Sequence, residues 1–403
     1  MPMVKPEILR WARKTAGLTP EEAVKKLRLQ ATTSASAVER LAVLEAGEST
    51  PTRPMLVKMA KVYRRPLLTF YLSSPPRRGD RGQDFRTLPE GQSTTKDALL
   101  DFLIRDVHAR QSMVRAVLED EEEAELLPFI GSKRMSDGVP AVLSSLRNTL
   151  RISLSEFRAM PTPLEAFALL RRAAEKIGVF VLLMGDLGSH HTAIDVEVFR
   201  GFALADELAP FVVINDQDSK AAWSFTLLHE LTHLWLGETG ISGERAGLAI
   251  ERFCNDVASE FLLPRDELES ISLDDAADLR STEYRISEFV KERNLSHSMV
   301  AFRLYREGVI SQDLWRDLSR VFRDMWVQGR RDRRERSRAR EGGPNFYVVR
   351  SHRVGMALLD LVRRMVAVGA LTTSKAGMVL GVKAKQVQPL LEQSEGHGIR
   401  RPV

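Results

Sequence analysis

The sequence predicts a multidomain, mainly α-helical protein that contains one small α+β domain. Three observations predict it. The 403 residues exceed what one ordinary core organises. Apolar spacing is helical over most of the chain, with recognisable caps. Only three apolar runs, "VFVLLMG" (179–185), "DVEVFRGFAL" (195–204) and "PFVVIN" (210–215), have the length and turn-rich borders of strands.

The N-terminal part, residues 1–75, is all helical by pattern. "PEILRWARKTAG" spaces Ile8, Leu9, Trp11 and Ala12 along one face and stops at Gly17. "TPEEAVKKLRL" has Thr19 as N-cap, Pro20 at the first helical position and Glu22 at the capping-box place. "SASAVERLAVLEAG" ends at Gly47, and "PTRPMLVKMAKVYRRPLLTFYL" supplies a fourth helix and a short fifth one. Residues 73–96 are rich in Pro, Gly and Arg and have linker composition. A charged helix is expected over 97–126 and a capped amphipathic one over 162–178. After 280 a pair or trio of helices precedes the Arg-rich run "RRDRRERSRAR" (330–340), expected as an exposed charged helix or linker, and a last helical module over 353–394. The domain boundaries that follow are 1–75, 76–135, 136–270, 271–328 and 329–403.

Composition narrows the function classes. Hydrophobic residues make up 43%, enough for packed cores, and no apolar stretch has membrane-spanning length. The first residues carry charges where a signal peptide needs an apolar stretch, and the single Cys254 excludes an intramolecular disulfide. A cytoplasmic protein is expected. Formal net charge is +5, but residues 1–75 hold 13 Lys and Arg against 6 acids, a net of +7. A basic module beside a nearly neutral remainder points to a polyanion partner.

The chemistry concentrates in "FTLLHELTH" (225–233), on a helix expected from about 219 to 236. Residues four apart share a helix face, so His229 and His233 can aim two imidazoles at one metal ion. Glu230 lies about 100° round the helix, able to act as a base on water beside the ion. A catalytic zinc needs a third protein ligand and an open position. Glu251, in "ERFCNDVASEFLLP" 18 positions after His233, is the leading candidate, with Asn255 on the same face as its supporting neighbour. Glu244, Asp256 and Glu260 are rivals. Asp256 lies off that face, and Glu260 lies in an apolar helix end. His190 and His191 sit in a loop and are expected to be exposed; Tyr284, Trp223 and Trp235 are expected to pack, and Cys254 to be buried.

These residues resemble the ImmA/IrrE family of bacterial metallopeptidases over about residues 160–265. The matching positions are Asn215, Phe225, Thr226, Leu227, His229, Glu230 and His233, then Glu251, Asn255, Ala258, Leu262 and Pro264. The resemblance implies a zincin-like metallopeptidase domain holding Zn2+ on His229, His233 and Glu251, with Glu230 as general base. It also implies a protein substrate, a repressor or antitoxin-like regulator. Residues 4–72 resemble the Xre/lambda-repressor type of helix-turn-helix domain, through "LRWARKTAGLTPEEAVKKL", "LEAGESTPT" and "LVKMAKVYRRPLLTFYL". Its turn and recognition helix should fall within "RLQATTSASAVERLAVLEAG", and Leu44 stands where that family often has Trp. Arg40, Arg28 and Lys26 are the expected DNA contacts by placement. The expectation is therefore a zinc endopeptidase fused to a DNA-binding domain. The competing expectation is a DNA-binding regulator or antitoxin whose peptidase fold is a sensor or scaffold without turnover. Oligomerisation is compatible with either.

Overall fold

The computed structural model describes residues 4–76, 95–239, 245–271, 278–338 and 345–398. It divides into two compact units, one formed by Met1–Asp106 with Asp186–Val198, the other by Val107–Gly185 with Phe199–Val403.

The first unit begins with α1 (Pro6–Thr15), α2 (Pro20–Leu27), α3 (Ala37–Ala46) and α4 (Arg53–Val62). Local chemistry starts these helices where the sequence indicates. Thr19 with Glu22, and Ser36 with Glu39, form reciprocal capping boxes, and Thr52 caps α4 through Met55 N. Gly47 closes α3 at φ +85°, a left-handed conformation that costs glycine little. The expected short fifth helix is a 3-10 turn, Leu67–Tyr71. Ile8, Leu9, Leu27, Leu41, Leu56, Met59 and Phe70 make the core. A buried bidentate ion pair ties α1 to α3, with Arg13 Nε 2.7 Å and Nη2 2.9 Å from the Glu45 carboxylate oxygens. Nine residues, 28–36, join α2 to α3, so the connection is a loop rather than a tight turn. Arg40 donates to Gln30 O at 2.5 Å and braces that loop.

The second unit surrounds a three-stranded sheet. Helix α5 (Thr95–Asp120) starts in the first unit and ends in the second. It is followed by α6 (Gly138–Leu150), α7 (Leu154–Arg158) and α8 (Pro163–Lys176). The strands are β1 (Phe180–Leu183), β2 (Gly201–Leu204) and β3 (Phe211–Ile214). Their order is β1-β3-β2, with β1 parallel and β2 antiparallel to β3. The run "PFVVIN" is thus the central strand, and β2 lies at an edge. The strand expected over 195–204 is confined to 201–204. Val198 N closes a turn onto Asp195 O, and ladder pairing with the central strand begins only where Asn215 N meets Arg200 O, at 2.8 Å. Alternate residues Val181, Leu183, Val212, Ile214 and Ala203 share one hydrophobic cluster with the next helix, α9 (Lys220–Trp235).

Helices α10 (Arg245–Leu262) and α11 (Arg265–Leu268) follow, then the trio α12 (Leu279–Lys291), α13 (His297–Arg306) and α14 (Gln312–Arg338). The Arg-rich run therefore continues α14 as far as Arg338. Tyr284, expected to pack, is 64% exposed on α12; helical spacing alone did not reveal which face is turned inward. Trp223 and Trp235 are buried on α9, against Phe167 and Phe129 respectively. No helix among the described residues is long and apolar enough to cross a membrane.

The chain closes with α15 (Phe346–Val354), α16 (Met356–Ala367), α17 (Thr373–Leu380) and α18 (Val387–Gly398). A buried pair on α8 holds the bend between α15 and α16. Arg171 sits 3.0 Å from Glu175 Oε1 and donates to His352 O and Arg353 O, at the end of α15. Glu175 accepts from the backbone N–H groups of Met356 and Ala357, at the start of α16. The cation thus meets a helix C-terminus and the anion a helix N-terminus, as the helix dipoles favour. Gly355 is required there twice over. Its φ is +88°, and a Cβ would lie 2.3 Å from Glu175 Oε1. Removing one member of a buried pair strands the other charge. Arg171→Ala is expected to destabilise the second unit by about 3–5 kcal/mol, with amide exchange in α15 and α16 accelerating first. Unchanged exchange in those helices would show that the pair does not hold them.

Candidate metal centre

Helix α9 is set by its N-cap, Ser219 Oγ accepting from Ala222 N at 3.2 Å, and by apolar residues on most of its circumference. Leu227, Leu228, Leu231 and Leu234 are fully buried. A helix so enclosed is a costly place for imidazole and carboxylate unless they meet partners. His229, Glu230 and His233 nevertheless lie on it, with Glu230 5% and His233 2% exposed.

Their partner comes from α10, which packs along α9. Glu251 Oε2 lies 3.1 Å from His229 Nε2, and Oε1 lies 3.3 Å from His233 Nε2. The two Nε2 atoms are 3.2 Å apart. The ligand atoms of His229, His233 and Glu251 all fall within 4.8 Å of one another. One turn further along α10, Asn255 Oδ1 lies 2.9 Å from His229 Nδ1. An amide oxygen only accepts, so it fixes the His229 proton on Nδ1 and leaves the Nε2 lone pair facing His233 and Glu251. His233 Nδ1 is buried with no hydrogen-bond partner among the described residues.

Two imidazole nitrogens and one carboxylate converging on a single point form a donor set suited to a divalent cation. His229, His233 and Glu251, from two helices, would hold such an ion and leave it room to take water. Beside them, Glu230 Oε2 is buried with no hydrogen-bond partner among the described residues. Burial pushes the Glu230 carboxyl up to about 8; His233 opposes the shift and Glu251 adds to it. A nearby cation favours the ionised form of such a carboxyl.

The other candidates stand elsewhere. Asp256 is held by Arg306 in a two-point pair at 3.1 and 2.7 Å. Glu260 pairs with Arg303. Glu244 lies outside the described residues. His190 and His191 open the 3-10 turn His190–Thr192, and His191 is exposed. Cys254 is buried, and burial raises its thiol pKa further above the ordinary range. Asn215 is fully buried, donating to Phe199 O and accepting from Gln217 N, each at 3.0 Å; it shapes the turn from β3 into α9. In the first unit, Lys26 and Arg28 are exposed at the end of α2, and Arg28 is its left-handed C-cap at φ 51°. Sequence reasoning passed over Gly201, the first residue of β2, which lies against Glu230; nothing local distinguishes it from an ordinary strand glycine.

Residues 174–305 match the family model of the IrrE N-terminal-like domain, Peptidase_M78. The matched stretch runs from the last turn of α8 to the last turn of α13 and includes the sheet and both ligand-bearing helices. The chain therefore carries a domain similar to those of the M78 peptidases, a metal-dependent class. No curated protein matches the chain.

The Asn255 contact orients one ligand without touching the metal position. Asn255→Ala is expected to weaken divalent-metal binding about 10–100-fold with little change in thermal stability, measured by competition with a chromogenic chelator. Wild-type affinity in the variant would show that His229 is oriented by packing alone.

Proposed function

We propose that the chain is a zinc-dependent endopeptidase joined to a DNA-binding unit, and that it cuts a specific repressor or antitoxin-like regulator. The observation that carries the peptidase reading is the cluster of His229, His233 and Glu251 with a fourth, non-ligating carboxyl, Glu230, beside it. A purely structural zinc site uses four protein ligands and has no need of a base. When bound, zinc supplies a Lewis acid that acidifies water and polarises a peptide carbonyl. His229, His233 and Glu251 would hold it. The Glu230 carboxylate then accepts a proton from water and can return it to the leaving amine. The resemblance to regulatory metallopeptidases supports a single protein partner over broad digestion. Backbone geometry supports an extended peptide. In the β2–β3 ladder, Arg200 pairs with Asn215, so the N–H and C=O groups of Gly201 and Ala203 point away from β3.

Glu230→Gln keeps the shape and removes the base. It is expected to retain zinc and to lose about 10²–10⁴-fold in cleavage rate, assayed on a purified repressor-like protein that the unaltered chain cleaves. Equal rates in variant and wild type would sink the mechanism. The competing reading is a zinc-holding sensor without turnover. Under that reading both proteins bind zinc and neither cleaves.

DNA binding rests on the +7 charge of residues 1–75 and on exposed Lys26 and Arg28. Arg40 braces the 28–36 loop and contributes to contact by shaping it. Affinity of the full chain for duplex DNA is expected to fall log-linearly with salt, and replacing Lys26 and Arg28 by Ala should lower that slope by about one each. Binding without salt dependence would remove the DNA-binding assignment.

A further inference from the structure

We propose that Gly201 is the positioning residue for the Glu230 carboxyl, and that the absence of a side chain at this strand position fixes where that carboxyl can lie. The proposal rests on the metallopeptidase reading and adds to it a residue outside the ligand helices.

Gly201 opens the edge strand β2 and pairs with Ile214 of β3. A Cβ built there would lie 2.6 Å from Thr226 Cγ2, 2.9 Å from Glu230 Oε1 and 3.0 Å from Val213 O. The first two are closer than a Cβ tolerates and the third is tight, so a neighbour must give way. Val213 is in the central strand, paired on both sides, and its carbonyl cannot retreat without breaking the sheet. Thr226 is 5% exposed and β-branched, and its Oγ1 donates to Ala222 O at 3.2 Å, which fixes the methyl group. Glu230 is the softest of the three, with three rotatable side-chain bonds and a buried Oε2 that no hydrogen bond restrains among the described residues. A side chain at position 201 would therefore press on both Thr226 and Glu230, and of the two the Glu230 carboxyl is the freer to be displaced. The φ of Gly201 is not left-handed, so backbone conformation does not demand glycine here. Space does. The ligands His229, His233 and Glu251 are not among the three nearest atoms, so the metal position itself should be spared.

The test needs a reporter of the Glu230 carboxylate other than turnover. Acetohydroxamic acid binds catalytic metals through its oxygens and gives up a proton that an adjacent carboxylate accepts. Its affinity for the Co(II)-loaded full chain can be followed by visible absorption. Gly201→Ala is expected to take up Co(II) as the unaltered chain does, yet to bind acetohydroxamate about tenfold or more weakly, approaching Glu230→Gln. Thr226→Ser removes the closest contact. The double variant Gly201→Ala, Thr226→Ser is expected to regain part of the lost melting temperature while its acetohydroxamate affinity stays low. It also keeps the test decisive if the single variant fails to fold. Wild-type acetohydroxamate affinity in either Gly201 variant overturns the proposal. So does weakened Co(II) binding, which would make Gly201 a support of the whole cage. If Glu230→Gln itself binds acetohydroxamate like wild type, the peptidase reading fails and takes the proposal with it.

Discussion

The convergence of two imidazole nitrogens and a carboxylate between α9 and α10 is the constraint on which the second unit depends. His233 is buried and His229 and Glu251 are partly so, and their ligand atoms lie within 4.8 Å of one another. Such a cluster persists only if both helices are held in register to within a fraction of an ångström. The surrounding structure supplies that rigidity. Leucines enclose α9, Trp223 and Trp235 anchor its two ends against aromatic partners, and Asn255 fixes the ring of His229. The acids of α10 that do not face the cluster are tied to arginines of α13, which aligns that helix along its length.

A second constraint is the closeness of β2 to α9. With glycine at 201 and alanine at 203, the strand brings backbone rather than side chain to the helix, and the Glu230 carboxyl occupies the room this leaves. That carboxyl is buried, bears one unpartnered oxygen and holds its proton tightly without a cation. Its properties as a base are thus conditional on the neighbouring site. The same principle of paired charge appears at Arg171 and Glu175, where a buried ion pair joins the ends of two helices. There each buried charge is kept because its partner stands opposite it.

Much of the local structure was legible. Caps at Thr19, Ser36 and Thr52 work through atoms three residues apart, so they appear in the sequence as spacing. The three apolar runs marked the strands, though not their order, and in "DVEVFRGFAL" the strand occupies only Gly201–Leu204. Strand character there depended on a neighbour that the local pattern cannot specify. Tyr284 illustrates the same limit for helices: periodicity gives a face, and only packing tells which way the face turns.

The sequence by itself determined that His229 and His233 share one side of a helix with Glu230 beside them, because helical geometry repeats every few residues and needs no distant contact. It also determined the basic character of residues 1–75, since charge is a property of composition. The tertiary structure decided how the leading candidate among the acids meets the histidines. Packing of α10 on α9 brings Glu251 to them, while Arg306 and Arg303, remote in sequence, take up Asp256 and Glu260. The tertiary structure likewise placed Gly201 against Glu230. Contacts between distant segments are chosen by how whole helices and strands pack, and no short stretch of sequence contains that information.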